Sequence, residues 1–424
     1  MIDRMCYIDG VTHLDGVSLV DIAVKFGTPT YVYSRDTLSS RLKLFRTGMQ
    51  ENLNDMNFRL CYAVKACSSL AVLKIVANHG YGADVVSEGE LRRCLIAGIP
   101  ADRVVFSGVG KTEDELIFAL KSGIYQFNVE SYQELLLINK VAGSLSGEGI
   151  TFAPVSLRIN PDTDAGSHHK ISTGSEYNKF GIPISQAGDI YRLASDMQFI
   201  KIVGVSVHIG SQITSVKPFN DAFTKIATFL REERMCVKTI DLGGGIGVNY
   251  DKDTSIFSLA EYAKVVKDTF SSFDSSLIFE PGRYIAADAA ILLTKILYSK
   301  DVSKRHFLIV DAAMNDFMRP AMYDATHEVF LVLDPQGNKK FINYDIVGPV
   351  CESGDSFCKE YKLNRCESGD LIYFSHVGAY GSSMASEYNS RPLVAEVMVS
   401  DGKAYLVRRR PSYDEMFALE SILE

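Results

Sequence analysis

The sequence has no extended run of basic residues. Lys and Arg number 44 against 52 Asp and Glu, so the formal net charge is −8. The run Arg408-Arg409-Arg410 is short enough to be a solvated face or a strand end. A nucleic-acid-binding surface needs clustered Lys and Arg. The composition therefore argues against a nucleic-acid partner.

The sequence also lacks an apolar stretch of membrane-spanning length. One of the longest, Ala286 to Leu293, contains Asp288 and is far shorter than the roughly 20 residues of a spanning helix. The opening residues, Met1-Ile2-Asp3-Arg4, do not show the charged-then-apolar pattern of a secretion signal. These features predict a soluble, cytoplasmic protein without a membrane partner.

Cysteine pairs and metal-ligand spacings are absent as well. Eight cysteines are scattered along the chain, with no CxxC pair and no His or Cys at zinc spacing. In so large a chain this pattern indicates free thiols in a reducing compartment. His168 and His169 are neighbours, but adjacent side chains on a loop point apart. We expect no metal site.

The sequence does contain a regular alternation of strand and helix signals. Helical stretches with apolar residues at i, i+3, i+4 spacing, such as Glu88 to Ala97, separate strand-like runs, and Gly98 and Gly123 mark helix ends. Eight such strands within about 230 residues match a (β/α)₈ barrel. A doubly wound sheet is the rival, because periodicity alone cannot close a barrel. The strand-like runs are 58–66, 81–87, 104–109, 126–130, 154–160, 202–210, 239–242 and 277–281.

The pattern changes near residue 290. Strand-like runs such as His306 to Asp311 and Leu393 to Val399, separated by turn signals, indicate a mostly antiparallel β domain. The predicted fold class is therefore α/β, a TIM-like (β/α)₈ barrel plus a β domain. We predict the barrel over residues 28–288 and the β domain over 289–424 together with residues 1–27.

The first strand ends in a lysine. Phe58 to Ala66 is an apolar run suited to a buried strand, and Lys65 lies near its carboxyl end. A lysine there either extends its ammonium to solvent or has a depressed pKa and a chemical role. Reacting groups of these barrels lie at the carboxyl ends of strands, where Asp84, His208 and Ser211 also fall.

The ends of the seventh and eighth strands predict an anion site. The Gly243–Gly245 turn exposes backbone N–H groups, and Gly282 and Arg283 follow the eighth strand. Phosphate sites in these barrels lie at that position. A turn of three glycines is weak evidence by itself, and the neighbouring arginine strengthens it.

A lysine, a phosphate site and a buried acid together match the needs of pyridoxal phosphate. The lysine forms a Schiff base, the glycines hold the phosphate and the acid pairs with the pyridine nitrogen. Glu280 is the candidate acid, and a local ion pair with Arg283 is the plain alternative. His208 is suited to stack on the ring, with a hydrogen-bonded core histidine as its alternative.

An ordered set of motifs resembles the fold-type III pyridoxal-phosphate decarboxylases, and within that family the members that act on diaminopimelate. The match runs from about residue 28 to about residue 410. In the first domain it comprises Tyr62-Ala63-Val64-Lys65-Ala66, Phe106-Ser107-Gly108-Val109-Gly110-Lys111, Arg158-Ile159-Asn160-Pro161, Ile171-Ser172-Thr173-Gly174, Lys179-Phe180-Gly181, His208-Ile209-Gly210-Ser211-Gln212, Gly243–Gly245 and Glu280-Pro281-Gly282-Arg283. In the second domain it comprises Met314-Asn315-Asp316, Arg319-Pro320, Val347 to Ser353 and Gly378-Ala379-Tyr380-Gly381.

The resemblance implies pyridoxal 5′-phosphate as the cofactor, an amino acid as the substrate, and a homodimer with active sites at the interface. It implies that Lys65 forms the Schiff base, His208 stacks on the ring and Glu280 meets the pyridine nitrogen. It also implies that Cys351 donates a proton, reaching in from the partner subunit with Glu352. The cofactor-binding residues expected from this likeness are Lys65, Asp84, His208, Ser211, Gly244, Gly245, Glu280, Gly282, Arg283 and Tyr380.

Substrate choice depends on the distal end of the ligand. Diaminopimelate carries an ammonium and a carboxylate there, whereas ornithine carries a bare ammonium that would leave Arg319 without a partner. We therefore expect decarboxylation of meso-2,6-diaminopimelate to L-lysine and carbon dioxide, the last step of lysine biosynthesis. The expected substrate-binding residues are Arg283, Arg319, Tyr323, Glu352 and Tyr380.

Three other functions remain as alternatives. One is a related decarboxylase acting on ornithine, arginine or a carboxylated polyamine; the others are a non-catalytic relative and a racemase on the same barrel. The chain departs from the family pattern at Cys67, where relatives usually carry Asn. It departs again at His169 and Lys170, where Pro and an aromatic residue are usual. These departures bear on substrate affinity more than on the reaction.

Overall fold

A computed structural model describes residues 4–164, 178–250, 255–333 and 340–423. Two compact units divide the chain. The barrel unit contains Arg41–Asn249 and Thr254–Ile285, and the sheet unit contains Met1–Ser40, Tyr250–Asp253 and Ala286–Glu424, as far as these residues are described.

The limits of the barrel unit differ from the sequence prediction of 28–288. Thr30–Ser34 is a fully buried strand that pairs with Ala290–Val302 and with Ala395–Ser400. These pairings place residues 28–40 in the sheet unit, because a strand belongs with the sheet that satisfies its backbone hydrogen bonds.

Within the described residues, eight parallel strands close into a barrel. Each strand pairs with the next along the chain, and the eighth pairs with the first through Leu277 and Phe58. The predicted (β/α)₈ barrel is confirmed, and its closure excludes the doubly wound sheet. The strands are β1 Phe58–Ala63, β2 Gly82–Val85, β3 Val104–Phe106, β4 Gln126–Val129, β5 Ala153–Asn160, β6 Ile200–Ser206, β7 Thr239–Asp241 and β8 Ser276–Phe279.

Helices follow the strands and begin and end at recognisable caps. Thr112 and Glu115 form a reciprocal capping box before one helix, and Gly98 and Gly123 end two helices in the left-handed conformation. No helix in the described part of the chain is long and apolar enough to cross a membrane. The helices within the barrel unit are Leu70–Asn78, Glu88–Ala97, Glu113–Ser122, Tyr132–Ser144, Ile184–Ser195, Lys217–Glu232 and Leu259–Phe270, and the helices Arg35–Asn52 and Arg283–Ala286 cross its limits.

A line of polar side chains, which we call the polar chain, crosses the barrel interior from β4 to β7. Thr239 donates to Gln126 (3.1 Å), Gln126 donates to Asn128 (2.9 Å), and Asn128 donates to Asp241 (3.0 Å). All four residues are buried. Hydrogen bonding offsets the cost of burying these four polar groups.

The sheet unit is mostly antiparallel, as predicted. Two of its strand pairs are parallel, Thr30–Ser34 with Ala395–Ser400 and Arg305–Val310 with Phe341–Val347. An apolar cluster that includes Val32, Ile291, Leu293, Tyr373 and Val397 forms its core. Its remaining strands are Met5–Ile8, Val11–Leu14, Val17–Ser18, Ala290–Val302, Val329–Leu331, Ser356–Asn364, Leu371–Phe374 and Lys403–Arg408, and its helices are Leu19–Phe26, Arg319–Tyr323 and Tyr413–Phe417.

Candidate active site

Lys65 lies immediately beyond β1, in the short turn Val64–Ala66. Its Nζ lies 2.7 Å from Oδ2 of Asp84 in β2, a carboxylate with no exposed surface. Because an isolated buried charge is costly, the ammonium and the carboxylate stabilise each other. The structure therefore brings these two predicted site residues together.

Glu280 follows β8 and is buried. Burial is the largest reason that its pKa lies well above the usual value; the carboxylates of Asp241 and Asp84 raise it further, and Lys65 opposes them. Glu280 is hydrogen-bonded to Asp241, and two carboxylates in such contact cannot both ionise. Once one of the two carboxyls has ionised, the other keeps its proton in the cofactor-free protein.

Asp241, the last residue of β7, is the better acceptor of the pair. Its Oδ2 accepts from Asn128 and its Oδ1 accepts from the N–H of Gly243, each at 3.0 Å. Burial raises the pKa of Asp241 to about 6, and these hydrogen bonds lower it. Since both of its oxygens accept from neutral donors, Asp241 is the first of the pair to ionise, and Glu280 keeps its proton.

His208 is a neutral imidazole in a fixed tautomer. Its Nδ1 accepts from the N–H of Gly244 at 3.2 Å, so the proton lies on Nε2. Burial lowers the pKa of His208 well below its usual value, and the charges of Arg158 and Lys65 lower it further. A neutral, oriented imidazole suits stacking on an aromatic ring, which is the role predicted for it.

Two positions in the Gly243–Gly245 turn exclude any larger residue. A Cβ at Gly244 would lie 2.2 Å from the carbonyl oxygen of Glu280. At Gly245, φ is +103° and a Cβ would lie 2.5 Å from the carbonyl oxygen of Gly210. Only glycine fits at these approaches, so this turn follows β7 without side chains that would block an anion.

Arg283 and Ser211 complete this group. Ser211 Oγ accepts from Arg283 Nη2 at 3.0 Å and from its Nε at 3.4 Å. Gly282 lies against the end of β1, where a Cβ would lie 2.9 Å from Cβ of Ala63. The ends of β1, β6 and β8 thus converge on the predicted phosphate site.

The residues present fit pyridoxal 5′-phosphate. Two buried oxygens, Asp84 Oδ1 and Glu280 Oε1, have no hydrogen-bond partner among the described residues. Such oxygens need a donor, and a pyridine N–H suits Glu280. Arg283 and Ser211 supply donors for a phosphate, and Lys65 supplies an amine for the aldehyde.

A buried carboxylate behind the site, Glu130, joins three segments. Its Oε1 accepts from Arg158 Nη1 (2.8 Å) and from the N–H of Gly108 (2.9 Å), and its Oε2 accepts from the N–H of Gly181 (3.0 Å). Each of these bonds involves a charged acceptor and is therefore strong. Glu130 fixes Arg158, one of the cations that keep His208 neutral.

In the sheet unit, Arg319 and Tyr323 are the first and last residues of one short helix. Arg319 is buried, with Nη1 2.7 Å from Nε2 of His327 and Cζ 4.2 Å from the ring centre of Tyr250. This cation is therefore held in a defined orientation, as binding of a planar carboxylate requires.

The remaining predicted site residues lie elsewhere in the sheet unit. Cys351 and Glu352 are adjacent and exposed, and the N–H of Cys351 donates to Asn389 (3.2 Å). Glu352 accepts from the N–H of Gly354 at 3.3 Å. Tyr380 has a φ of +56°. Their roles stay predictions.

Of the three departures from the family pattern, the structure describes only Cys67. Cys67 is buried, and its carbonyl oxygen accepts from the hydroxyl of Tyr62 at 3.2 Å. His169 and Lys170 lie outside the described residues, as do His168 and the segment 171–174. The described residues contain no cluster of three or more His, Cys, Asp or Glu that could hold a metal.

A cavity of about 540 Å³ opens at the opposite, amino-terminal mouth of the barrel. Arg46, Arg59 and Arg103 are among the residues that line it. It contains none of the predicted site residues, and reacting groups in (β/α)₈ barrels lie at the other mouth. We assign it no part in the reaction.

The raised pKa of Asp241 predicts that the stability of the cofactor-free protein depends on pH. Folding raises the pKa of Asp241 from about 4 to about 6, so its stabilising contribution is complete below about pH 4 and is lost as the pH rises through 6. In the cofactor-free protein, Asp241→Asn should gain roughly 3 kcal/mol in free energy of unfolding relative to wild type between pH 4 and pH 7. Urea denaturation across this range measures it.

The control for this experiment is Asp114→Asn, which changes an exposed carboxylate. A wild-type-to-variant difference that is independent of pH in both variants would contradict the proton-sharing pair. Asp241→Asn also alters the hydrogen bonds to residue 241, but this changes the free energy of unfolding by the same amount at every pH. It does not affect the result, because the comparison uses only the change of that free energy with pH.

Sequence reasoning missed Asp241, Asn128, Glu130, His327 and Tyr250. Asp241 was detectable as a carboxylate at the end of a short strand that is expected to be buried, where a charge needs a partner. The others are single polar residues in strands or loops, and their partners are distant in sequence.

The chain matches the family model "Pyridoxal-dependent decarboxylase, pyridoxal binding domain" over residues 36–287. It is 46% identical to the diaminopimelate decarboxylase of Vibrio cholerae, over 98% of both chains. It is 45% identical to that of Pseudomonas fluorescens, over 99% of both. A crystal structure of diaminopimelate decarboxylase from Helicobacter pylori, complexed with L-lysine, superposes with a TM-score of 0.88 at 39% identity, covering 94% of this chain and 98% of that one. With the barrel, the lysine and the cofactor-fitting residues already in place, these likenesses show that the chain belongs to the pyridoxal-dependent decarboxylases, in the diaminopimelate decarboxylase family.

Proposed function

We propose that the chain decarboxylates meso-2,6-diaminopimelate to L-lysine and carbon dioxide with pyridoxal 5′-phosphate. The observation that carries the reaction class is the convergence of Lys65, Asp84 and Glu280 at one mouth of the barrel, with a buried oxygen of Glu280 lacking a donor. Full-length likeness to diaminopimelate decarboxylases supports the substrate.

When bound, the cofactor supplies an electron sink for the electron pair freed by loss of carbon dioxide. The residues of this chain orient it and move protons. Lys65 would hold the cofactor through its amine, Glu280 would meet the ring nitrogen, and the turn at Gly244 and Gly245 would bind the phosphate together with Arg283 and Ser211. His208, which is neutral, would pack against the ring.

For the distal end of the substrate we propose the predicted substrate-binding residues. Arg319 binds the distal carboxylate, with Tyr323 as a second donor and Arg283 as a second cation. Glu352 accepts from the distal ammonium, and Tyr380 lies at the cofactor and the substrate. Cys351 donates the proton that replaces the lost carboxylate. The buried and oriented guanidinium of Arg319 supports this assignment.

We further infer a cytoplasmic homodimer in which Cys351 and Glu352 of each subunit complete the site of the other. Their exposure in the single chain supports this arrangement, because a proton donor exposed in the monomer needs a partner surface to exclude water. All eight cysteines are free, the state expected in a reducing compartment. Sedimentation of the holoenzyme measures the dimer.

The reaction is tested by carbon dioxide release from meso-diaminopimelate with added cofactor, with ornithine, lysine and arginine in parallel. Release from diaminopimelate alone is the expected result. Preferred release from ornithine would contradict the assigned substrate and leave the cofactor chemistry in place.

Arg319→Ala should lower kcat/KM for diaminopimelate by about 10- to 100-fold, because it removes a charge-assisted hydrogen bond to the distal carboxylate. Arg319→Lys is the matched variant: it keeps the charge but loses the fork geometry, so an intermediate value is expected. Initial rates on diaminopimelate over a range of concentrations give kcat and KM. An unchanged kcat/KM in Arg319→Ala would show that Arg319 does not bind the distal carboxylate.

A further inference from the structure

The guanidinium of Arg319 is hydrogen-bonded to a neutral acceptor. Nη1 of Arg319 lies 2.7 Å from Nε2 of His327, and Nδ1 of His327 lies 2.9 Å from the carbonyl oxygen of Ser375. A carbonyl can only accept, so Nδ1 carries the proton. Nε2 therefore presents a lone pair, and the arginine donates to it.

Aromatic contacts fix both partners of this hydrogen bond. The His327 ring lies edge-on to Phe317 and to Tyr250, with ring centres 4.7 Å and 4.9 Å apart. The Tyr250 ring also lies 4.2 Å from the guanidinium carbon of Arg319. His327 is almost fully buried. One edge and one face of the guanidinium are thus set by groups that carry no charge.

We propose that His327 is a positioning residue that orients Arg319 toward a substrate carboxylate and thereby sets the preference for ligands that carry one. The inference rests on the proposed function, since it takes the distal carboxylate as the partner of Arg319. An imidazole acceptor orients the guanidinium without cancelling its charge, which a carboxylate in the same place would do.

Two ligands separate this effect from general damage to the site. L-lysine keeps the carboxylate that was distal in diaminopimelate, whereas cadaverine has the same amines and lacks that carboxylate. The ratio of their dissociation constants, measured by calorimetry on the holoenzyme, reports the carboxylate alone. Loss of fold or of cofactor affects both ligands equally.

Two substitutions test the acceptor nitrogen of His327, Nε2, separately from its donor nitrogen, Nδ1. In His327→Asn, the shorter amide still reaches the carbonyl of Ser375 but not Arg319. In His327→Gln, the amide oxygen reaches the position of Nε2 and can accept from Arg319. The control is His13→Asn, since His13 is bonded to the backbone carbonyl of Val11 in the amino-terminal hairpin.

His327→Asn should raise the dissociation constant of L-lysine by about tenfold and leave that of cadaverine unchanged. His327→Gln should recover most of that loss, and His13→Asn should match wild type. An unchanged lysine-to-cadaverine ratio in His327→Asn, or equal weakening of both ligands, would overturn the proposal. If His327→Asn does not fold, a tenfold fall of the ratio in His327→Gln would also overturn it, and a preserved ratio would support it. Failure of the proposed function is distinct, because wild-type enzyme would then release no carbon dioxide from diaminopimelate.

Discussion

Lys65→Ala is expected to lower kcat on diaminopimelate by at least about 10³-fold, because it removes the amine that we propose holds the cofactor and exchanges protons near the reacting carbon. The expected chemical signature is equally large. Borohydride reduction of wild-type holoenzyme should attach the cofactor irreversibly to the peptide that contains Lys65, and no such adduct should form in the variant. Peptide mass spectrometry measures it.

The variant also leaves Asp84 buried without its cation, so loss of fold must be separated from loss of chemistry. Asp84→Asn in the Lys65→Ala background removes the uncompensated charge and should restore thermal stability without restoring turnover. Lys74→Ala, at an exposed helical lysine, is the control and should keep the thermal stability and the turnover of wild type. An adduct on another lysine, or turnover that returns with stability, would contradict the role of Lys65.

Cys351→Ala is expected to lower turnover by about 10²- to 10⁴-fold, the range for loss of a general acid. The homodimer with shared sites that we propose gives this variant a second signature. An equal mixture of Lys65→Ala and Cys351→Ala subunits, allowed to exchange, should recover about a quarter of wild-type activity, because half of the dimers are mixed and each has one intact site. Carbon dioxide release before and after exchange measures the recovery.

Cys236→Ala, at another exposed cysteine, is the matched control and should retain full activity. A mixture that stays inactive after verified exchange would mean that each site takes Lys65 and Cys351 from the same chain. Sedimentation as a monomer with full activity would have the same meaning.

The barrel was predictable because its signals are local. Short apolar runs alternate with amphipathic helices, glycines end the helices, and Lys65, Glu280 and Arg283 follow strands directly in sequence. A group at a strand end is placed by the strand itself, so its position in the barrel follows once the strands are counted. The likeness of the motifs to a known family then supplied the roles.

The parts that were not predicted depend on partners far apart in the chain. Asn128 and Asp241 are separated by 113 positions, and strand periodicity carries no information about which side chains meet across a barrel. Thr30–Ser34 shows the same limit at a domain boundary. It precedes the barrel in sequence, but its neighbours are strands near residues 290 and 395.

The polar chain has a consequence for protein engineering. A designer who wishes to change the acid at Glu280 would be inclined to leave Thr239 and Gln126 out of the design, since neither residue contacts Glu280 directly in the polar chain. Each amide in that line presents its oxygen to one neighbour and its nitrogen to the next, so the donor order is fixed from end to end. If residue 241 had to donate a hydrogen bond instead of accepting one, the side-chain amides of Asn128 and Gln126 would both have to rotate by about 180° to exchange their oxygen and nitrogen atoms. The residues of the polar chain must therefore be redesigned together with the acid at the mouth of the barrel.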